Sequence, residues 1–380
     1  MNELVFQAYM NEIALEIAQK SYLFANSELN YPDKFLFKIA RVCNLSNKKY
    51  KLFMLCSRVY NYCWLFVLLP FISIQFLCSL FISSNRNNNK SCFGFVEDNK
   101  TLYDFSLLEE LNIHNINLGV IALSKCLTLS QKLHAVRLSF QVMSLLRKNK
   151  NTLPNLTYNS LKLHLYDLYK LTLYAVLLKQ ISVTGTSSVL LNSHYERWTY
   201  LASHLCGNQL FIVQHGRISN DIHFPFEFGS VNSLYLYHQE TAEVFGKYYK
   251  NISHLKHIKP KLELKDIRVN GVVTVFLASS VSAVASELEF IEKTQEFSNI
   301  KIFIKLHPLY DYKHNFVHLK KEIEFINYLP LTDLMITYNS ALGDEYKSLG
   351  HSVFFIEDYD NVSEMFRSIT QKYNNLLIAS

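Results

Sequence analysis

The chain has 380 residues, of which 49% are hydrophobic and 18% charged, with a formal net charge of +6. That much apolar material supplies a core and excludes a disordered chain, and the length suits two domains. The positive balance is modest and no dense Lys/Arg stripe is interleaved with aromatics, so nucleic acid is not an expected partner. An anionic membrane surface or a phosphorylated substrate fits equally well.

The seven cysteines (Cys43, Cys56, Cys63, Cys78, Cys92, Cys126 and Cys206) include no CxxC pair and no disulfide-like framework. They point to reduced thiols in a cytosolic compartment.

The first stretch, "MNELVFQAYMNEIALEIAQK", carries early Glu and no basic region ahead of an apolar core, so it does not read as a secretory signal. Its apolar positions recur at three-to-four spacing, and residues 1–50 read as helical. From Val59 to Asn85 there is no charged residue, a run long enough to span a bilayer, with Pro70 near its middle. Lys48, Lys49, Lys51 and Arg58 precede it, and Arg86 and Lys90 follow, so flanking charge sets no orientation. Two readings stand: a helix or broken hairpin over 51–85 lying in the cytoplasmic leaflet, or a buried helix pair of a soluble domain. Residues 84–100 are polar and turn-rich and predict a loop. The pattern is helical from 102 to 150, clearest in "SQKLHAVRLSFQVMSLLRKNK"; "NTLPN" breaks it, and 158–180 form another long helix.

Beyond that point short apolar runs end on polar residues or glycine. "SSVLLNS" (187–193), "QLFIVQHG" (209–216) and "SLYLYHQ" (233–239) read as strands, with "HYERWTYLASHL" a helix between the first two. The basic stretch 253–270, with Pro260, reads as an interdomain linker. A second series follows: strand 272–279, helix 284–297, strand 301–308, strand 331–340, helix 341–350, strand 352–357 and helix 361–375. The expected fold class is therefore α/β, with two Rossmann-like domains facing a cleft and a mostly helical N-terminal region. The division expected is 1–260 and 261–380.

In parallel α/β sheets ligands bind at the carboxyl ends of the strands. "VQHG", "KLHP" and "TYNS" fall at such ends. His307 can donate to a phosphate oxygen with Pro308 fixing the backbone, or can simply cap a strand. Ser340 is a good N-cap; its hydroxyl and the free helix amides make an anion site suited to a nucleotide phosphate, or only a cap. Glu345, about a turn further on, can accept two ribose hydroxyls or be a solvated acid. His215, before the turn-permitting Gly216, can act as a base or bind phosphate, and Asp221, Glu227 and Glu196 are candidate carboxylate bases. No HExxH, DxD-type cluster, GxxxxGK[ST], GxGxxG or GxSxG motif occurs, which disfavours kinases, NTPases, typical dehydrogenases and α/β-hydrolases and gives little support to metal binding.

Taken in order, "IVQHG", "KLHP" and "PLTDLMITYNSALGDEYKSLGHSVFFI" resemble the bacterial GT-B glycosyltransferases of capsule and lipopolysaccharide assembly, a group that includes polysialyltransferases, capsule Kdo transferases and CDP-glycerol transferases. The resemblance covers roughly 187–357 and leaves the first 150 residues without a counterpart. It implies a GT-B fold with an acceptor-side N-terminal domain and a nucleotide-donor-binding C-terminal domain. It also implies a metal-independent enzyme without cofactor, a nucleotide-sugar donor, a CMP-sugar favoured, and an oligosaccharide or lipid-linked acceptor at the cytoplasmic face of the inner membrane. His307 and Pro308, with Asn339, Ser340 and Ala341, would hold the donor phosphate and Glu345 the ribose. His215 would sit on the acceptor side of the cleft, with Gln214 and Gly216; the residues themselves offer His215, Asp221 and Glu196 as the catalytic candidates. The chain departs from the pattern in lacking a clear paired-acid-plus-glycine motif in its N-terminal part, and Asn339 stands where many relatives have a second serine. A CDP-polyol phosphotransferase and a non-catalytic assembly protein of the same fold remain alternatives.

Overall fold

The computed structural model of the chain describes residues 1–11, 73–84, 92–149, 158–192, 196–217, 226–280, 283–306, 312–316, 318–319 and 323–373, with side chains of the helix at 158–184 described from residue 167 onward. These fall into two compact units. The first comprises Met1–Gln214, His223–Tyr235 and Phe245–Lys256; the second comprises His215–Ile222, Leu236–Val244 and His257–Ser380.

The first unit is built on a six-stranded sheet of order β2-β1-β3-β4-β5-β6. Its strands are β1 (Cys92–Val96), β2 (Ile113–Asn117), β3 (Ser188–Leu191), β4 (Leu210–Val213), β5 (Phe228–Leu236) and β6 (Tyr249–His257). Every pairing from β2 through β5 is parallel. Its helices are α1 (residues 2–11), α2 (73–81), α3 (Asn99–Ser106), α4 (Val120–Lys125), α5 (Leu129–Lys148), α6 (Tyr158–Thr184) and α7 (Arg197–Leu205). A capping box starts α5: Thr128 accepts from the Gln131 amide, and the Gln131 side chain accepts from the Thr128 amide.

Three expectations change here. β1 lies inside the stretch 84–100 expected to be loop, and β2 lies inside the stretch expected to be helical throughout. "CFGFV" is short and glycine-bearing, yet four of its five residues are buried. A Cβ at Gly94 would come within 2.6 Å of Ile113 and 2.8 Å of the Phe105 ring, so glycine here permits close packing rather than a turn. In β2, "IHNIN" carries too few apolar residues to show a strand period. β6 also runs to His257, into the expected linker.

The second unit contains α8 (Glu240–Gly246) up to Val244 and a five-stranded, wholly parallel sheet of order β10-β9-β8-β12-β13. The strands are β8 (Val273–Ala278), β9 (Ile300–Lys305), β10 (Ile323–Phe325), β12 (Leu334–Thr337) and β13 (Val353–Phe355). A small parallel pair joins β7 (Lys265–Asp266) to β11 (Pro330–Leu331). The crossover helices are α9 (Val284–Lys293), α10 (Ala341–Ser348) and α11 (Val362–Lys372). Val273, Val275 and Leu277 of β8 join Ile302, Ile304 and Ile336 in one core with Phe290 of α9 and Met365 and Ile369 of α11. Phe276 and Met335 point the other way, into a second core with Tyr346 of α10. Alternation along each strand therefore buries both sheet faces, as a doubly wound parallel sheet requires. The α/β class with two Rossmann-like sheets is what the sequence led one to expect.

Of the uncharged stretch 59–85, residues 59–72 and 85 lie outside the described residues, and 73–81 are α2. Among the described residues no helix is long and apolar enough to cross a membrane.

Gly94→Ala should destabilise the first unit by about 1–3 kcal/mol, because the added methyl forces Ile113 and Phe105 aside in a packed core. Urea unfolding of variant and parent checks this; an unchanged midpoint would show that the β1–β2–α3 packing yields freely.

Candidate functional site

In the second sheet the chain runs outward from β8 to β9 and β10, then returns to the far side of β8 with β12 and β13. The order reverses between β8 and β12. Crevices that hold ligands in such sheets open at the carboxyl ends of the two strands flanking that reversal. Register fixes which residues arrive there: Ala278 pairs with both Thr337 and Lys305, and Thr337 pairs with Phe355. At the opposite end Asp333 sets that register. Its carboxylate accepts from the Thr274 amide at 2.7 Å and the Thr274 hydroxyl at 2.6 Å, and its own amide donates to the Thr274 hydroxyl oxygen at 3.0 Å.

Past β12 the backbone turns sharply. Asn339 has φ 42°, the left-handed region that Asn tolerates better than most residues. Its amide donates to Glu357 Oε1 at 2.9 Å. Ser340 follows as the N-cap of α10, its hydroxyl oxygen accepting from the Leu342 amide at 3.2 Å. α10 then lies tightly on the sheet edge. A Cβ at Gly343 would come within 2.5 Å of the Phe355 ring and 2.7 Å of Thr337. Asn339, Ser340, Ala341 and Glu345 are thus brought together on one strand-to-helix turn. Glu345 is 3% exposed, packed into the unit rather than standing in solvent.

The turn after β8 is held by a carboxylate that sequence reasoning passed over. Glu287, in the first turn of α9, is fully buried; it accepts from the Ser279 hydroxyl and, at 2.8 Å, from the Ser280 amide. Burial pushes its carboxyl up to about 7 against those two hydrogen bonds. At the end of β9, Lys305 donates to the Asn327 carbonyl at 2.7 Å, and burial lowers its pKa. His307 and Pro308 follow two and three residues later, outside the described residues, as does Asp221.

A second charged group surrounds Arg217, on the segment 215–222 that belongs to this unit. Its guanidinium lies 3.4 Å from the Phe355 ring centroid and 3.4 Å from Glu357, and it pairs closely with Asp358. Its Nη1 and Glu357 Oε2 are both buried without a hydrogen-bond partner. Asp344, one turn into α10, is pushed up to about 6, mainly by burial, with Arg217 and Lys347 opposing. Burial likewise raises Glu357. His238 hydrogen-bonds the Asp344 carbonyl through Nε2 at 2.9 Å, and desolvation lowers its pKa. His215 and Gly216, the latter with φ 82°, belong to this same unit.

Glu196 and Gln214 are part of the first unit. Glu196 occupies the N-cap position of α7 without a side-chain cap, and Gln214 is fully buried with its amide on the Tyr235 carbonyl. In that sheet the order reverses between β1 and β3. Two adjacent acids, Glu97 and Asp98, follow β1 there; Asp98 is committed to capping α3, while Glu97 is exposed. Past β3, Asn192 joins the Thr101 hydroxyl and the buried Asp104 in one hydrogen-bonded group.

The second edge therefore brings together the serine-capped start of α10, Lys305 on the Asn327 carbonyl and Arg217 paired with Glu357 and Asp358, with carboxyls whose ionisation is suppressed by burial. Such a set can hold an anion and stabilise charge that develops on a departing group. Among the described residues no group of three His, Cys, Asp or Glu side chains could hold a metal ion.

No family model matches the chain, and no curated protein sequence matches it. Solved structures with a similar chain path include the S. aureus MnaA–UDP co-structure (11% identity, TM-score 0.39, covering 76% of this chain and 89% of that one). A UDP-N-acetylglucosamine 2-epimerase from Rickettsia bellii is another (10% identity, TM-score 0.33, 70% of this chain and 78% of that one). The spinosyn rhamnosyltransferase SpnG is a third (10% identity, TM-score 0.31, 76% and 91%).

An acid raised to about 7 when folded binds more protons folded than unfolded between its ordinary value near 4.5 and 7. Its contribution to stability is therefore present at low pH and declines as pH rises through that window. Glu287→Gln, which keeps a neutral acceptor, should abolish a decline of up to about 3 kcal/mol between pH 5 and pH 8. Urea titrations at the two pH values check it; a variant with the parent's pH dependence would show that Glu287 does not titrate there.

Proposed function

We propose that the chain is a metal-independent GT-B glycosyltransferase. In this reading it transfers a sugar from a nucleotide-activated donor, a CMP-sugar such as sialic acid or Kdo, to a growing surface polysaccharide of the capsule or O-antigen kind. It works on an oligosaccharide or lipid-linked acceptor, peripherally at the cytoplasmic face of the inner membrane. The observation that carries the proposal is the Asn339–Ser340 turn: a left-handed residue and a serine N-cap opening a helix at the carboxyl end of β12, beside the point of strand-order reversal. The order of "QHG", "LHP" and "YNSALGDE" in the sequence supports it.

A base takes the proton from an acceptor hydroxyl, and that oxygen bonds to the anomeric carbon of the donor. The bond from that carbon to the phosphate oxygen breaks, and the nucleotide leaves with the electron pair. His307 and the α10 N-terminus at Ser340 stabilise the charge gathering on the phosphate, and Glu345 takes the ribose. His215, Asp221 and Glu196 are the candidate bases. Glu97 joins them because it is an exposed acid at the strand-order reversal of the first sheet.

A thermal-shift screen with CMP, CDP, UDP and GDP, with and without EDTA, tests this. One nucleotide should raise the melting temperature by several degrees irrespective of EDTA. CMP would fit sialic acid or Kdo, CDP a polyol phosphate, and UDP or GDP a hexose. Indifference to all four would contradict the enzyme reading and leave the assembly-protein alternative. His307→Ala should abolish transfer with an unchanged melting curve; a parental rate would end the assignment of His307.

A further inference from the structure

We infer that α2 and α5 of the first unit form a docking surface for an anionic lipid bilayer. The inference gives peripheral association a definite face and stands independently of the nucleotide reading.

Both helices lie on α6 and turn apolar side chains outward. On α2, the Phe76 ring packs 4.9 Å from that of Tyr169, and the Ser79 and Tyr169 hydroxyls are 2.9 Å apart. On α5, the Ser139 and Thr172 hydroxyls meet at 2.8 Å, while Ala135, Leu138 and Val142 are buried. Lys132 of α5 donates to the Ile82 carbonyl at 2.6 Å, which ties the end of α2 beside α5. The opposite sides carry Ile74 (59% exposed), Leu77 (52%) and Phe81 (81%) on α2, and Leu129 (55%), Leu133 (53%) and Phe140 (63%) on α5. Spacings of three, four and seven residues place each trio along one stripe. Large apolar side chains concentrated so on one layer mark an interaction surface.

Charge selects the partner. From Leu111 to Tyr166 the chain contains no Asp or Glu, but it contains Lys125, Lys132, Arg137, Arg147, Lys148, Lys150 and Lys162. Arg137, Arg147 and Lys148 are exposed on α5 among the apolar stripe, and α2 carries no charge at all. Between α5 and α6 opens a cavity of about 370 Å³, lined by His134 and Lys179 with Gln131 and Gln180 and by no carboxylate. An apolar stripe whose own helix carries exposed Arg137, Arg147 and Lys148 and no acid suits acyl chains beneath anionic headgroups. It does not suit a second copy of the same face, where like charges would oppose each other.

The test is co-sedimentation of the full chain with phosphatidylcholine vesicles, with and without phosphatidylglycerol. Binding should require phosphatidylglycerol and fall as salt is raised. Arg137→Glu should lower partitioning about fivefold or more, and the double variant Leu133→Glu/Phe140→Glu at least tenfold, with melting temperature and nucleotide shifts unchanged. Parental binding by the double variant, or equal binding to pure phosphatidylcholine, would overturn the inference. So would a parent that sediments as a dimer and a double variant that sediments as a monomer.

Discussion

The register of β12 on β8 is the constraint on which the second unit depends. Thr274 and Asp333 fix it by exchanging hydrogen bonds in both directions at the amino ends of the two strands. A one-residue slip would turn Met335 and Ile336 to the wrong faces, separating Ile336 from Ile302 and Met335 from Phe276 and Tyr346. With the register held, Thr337 reaches Ala278, its hydroxyl donating to that carbonyl at 3.0 Å, and the two turns beyond emerge side by side. Everything proposed about an anion at this edge presupposes that alignment. It is settled some four residues away from the edge itself.

The edge is costly to maintain. Asn339 sits in a backbone region that costs on the order of 1 kcal/mol, and its amide is secured by Glu357. Glu287, Asp344 and Glu357 are carboxyls displaced upward by burial, and Glu357 keeps one oxygen without a partner. A sheet edge serving only stability would replace these groups with apolar ones, because a buried carboxyl must be desolvated before it gains anything. Their accumulation at the strand ends, rather than in the cores, is what sets this edge apart from the rest of the unit.

Much of this was legible in the sequence because strand and helix periods there are clean. "VVTVFLAS", "KIFIKLHP" and "LMITYNS" are apolar runs of strand length, and Ser340 before "ALGDEYKSLG" is a recognisable helix start. The strands missed, β1 and β2, lack that signal: one is centred on a packing glycine, the other is mostly polar. Glu287 was invisible for a different reason. An acid in the first turn of an amphipathic helix ordinarily faces water, and only the fold shows it turned inward onto Ser279 and Ser280. Arg217 stands 140 and 141 positions before the adjacent Glu357 and Asp358, and nothing local in either stretch announces the pairing.

Hydrogen exchange with and without a saturating nucleotide tests most directly whether this edge is the binding site. The account predicts slower exchange at two turns of the second unit, residues 279–287 and 338–345, and at the segment that carries His307, within the time course over which both sheets remain protected. Protection appearing only in the first unit, or no change at either turn while the nucleotide demonstrably binds, would contradict it.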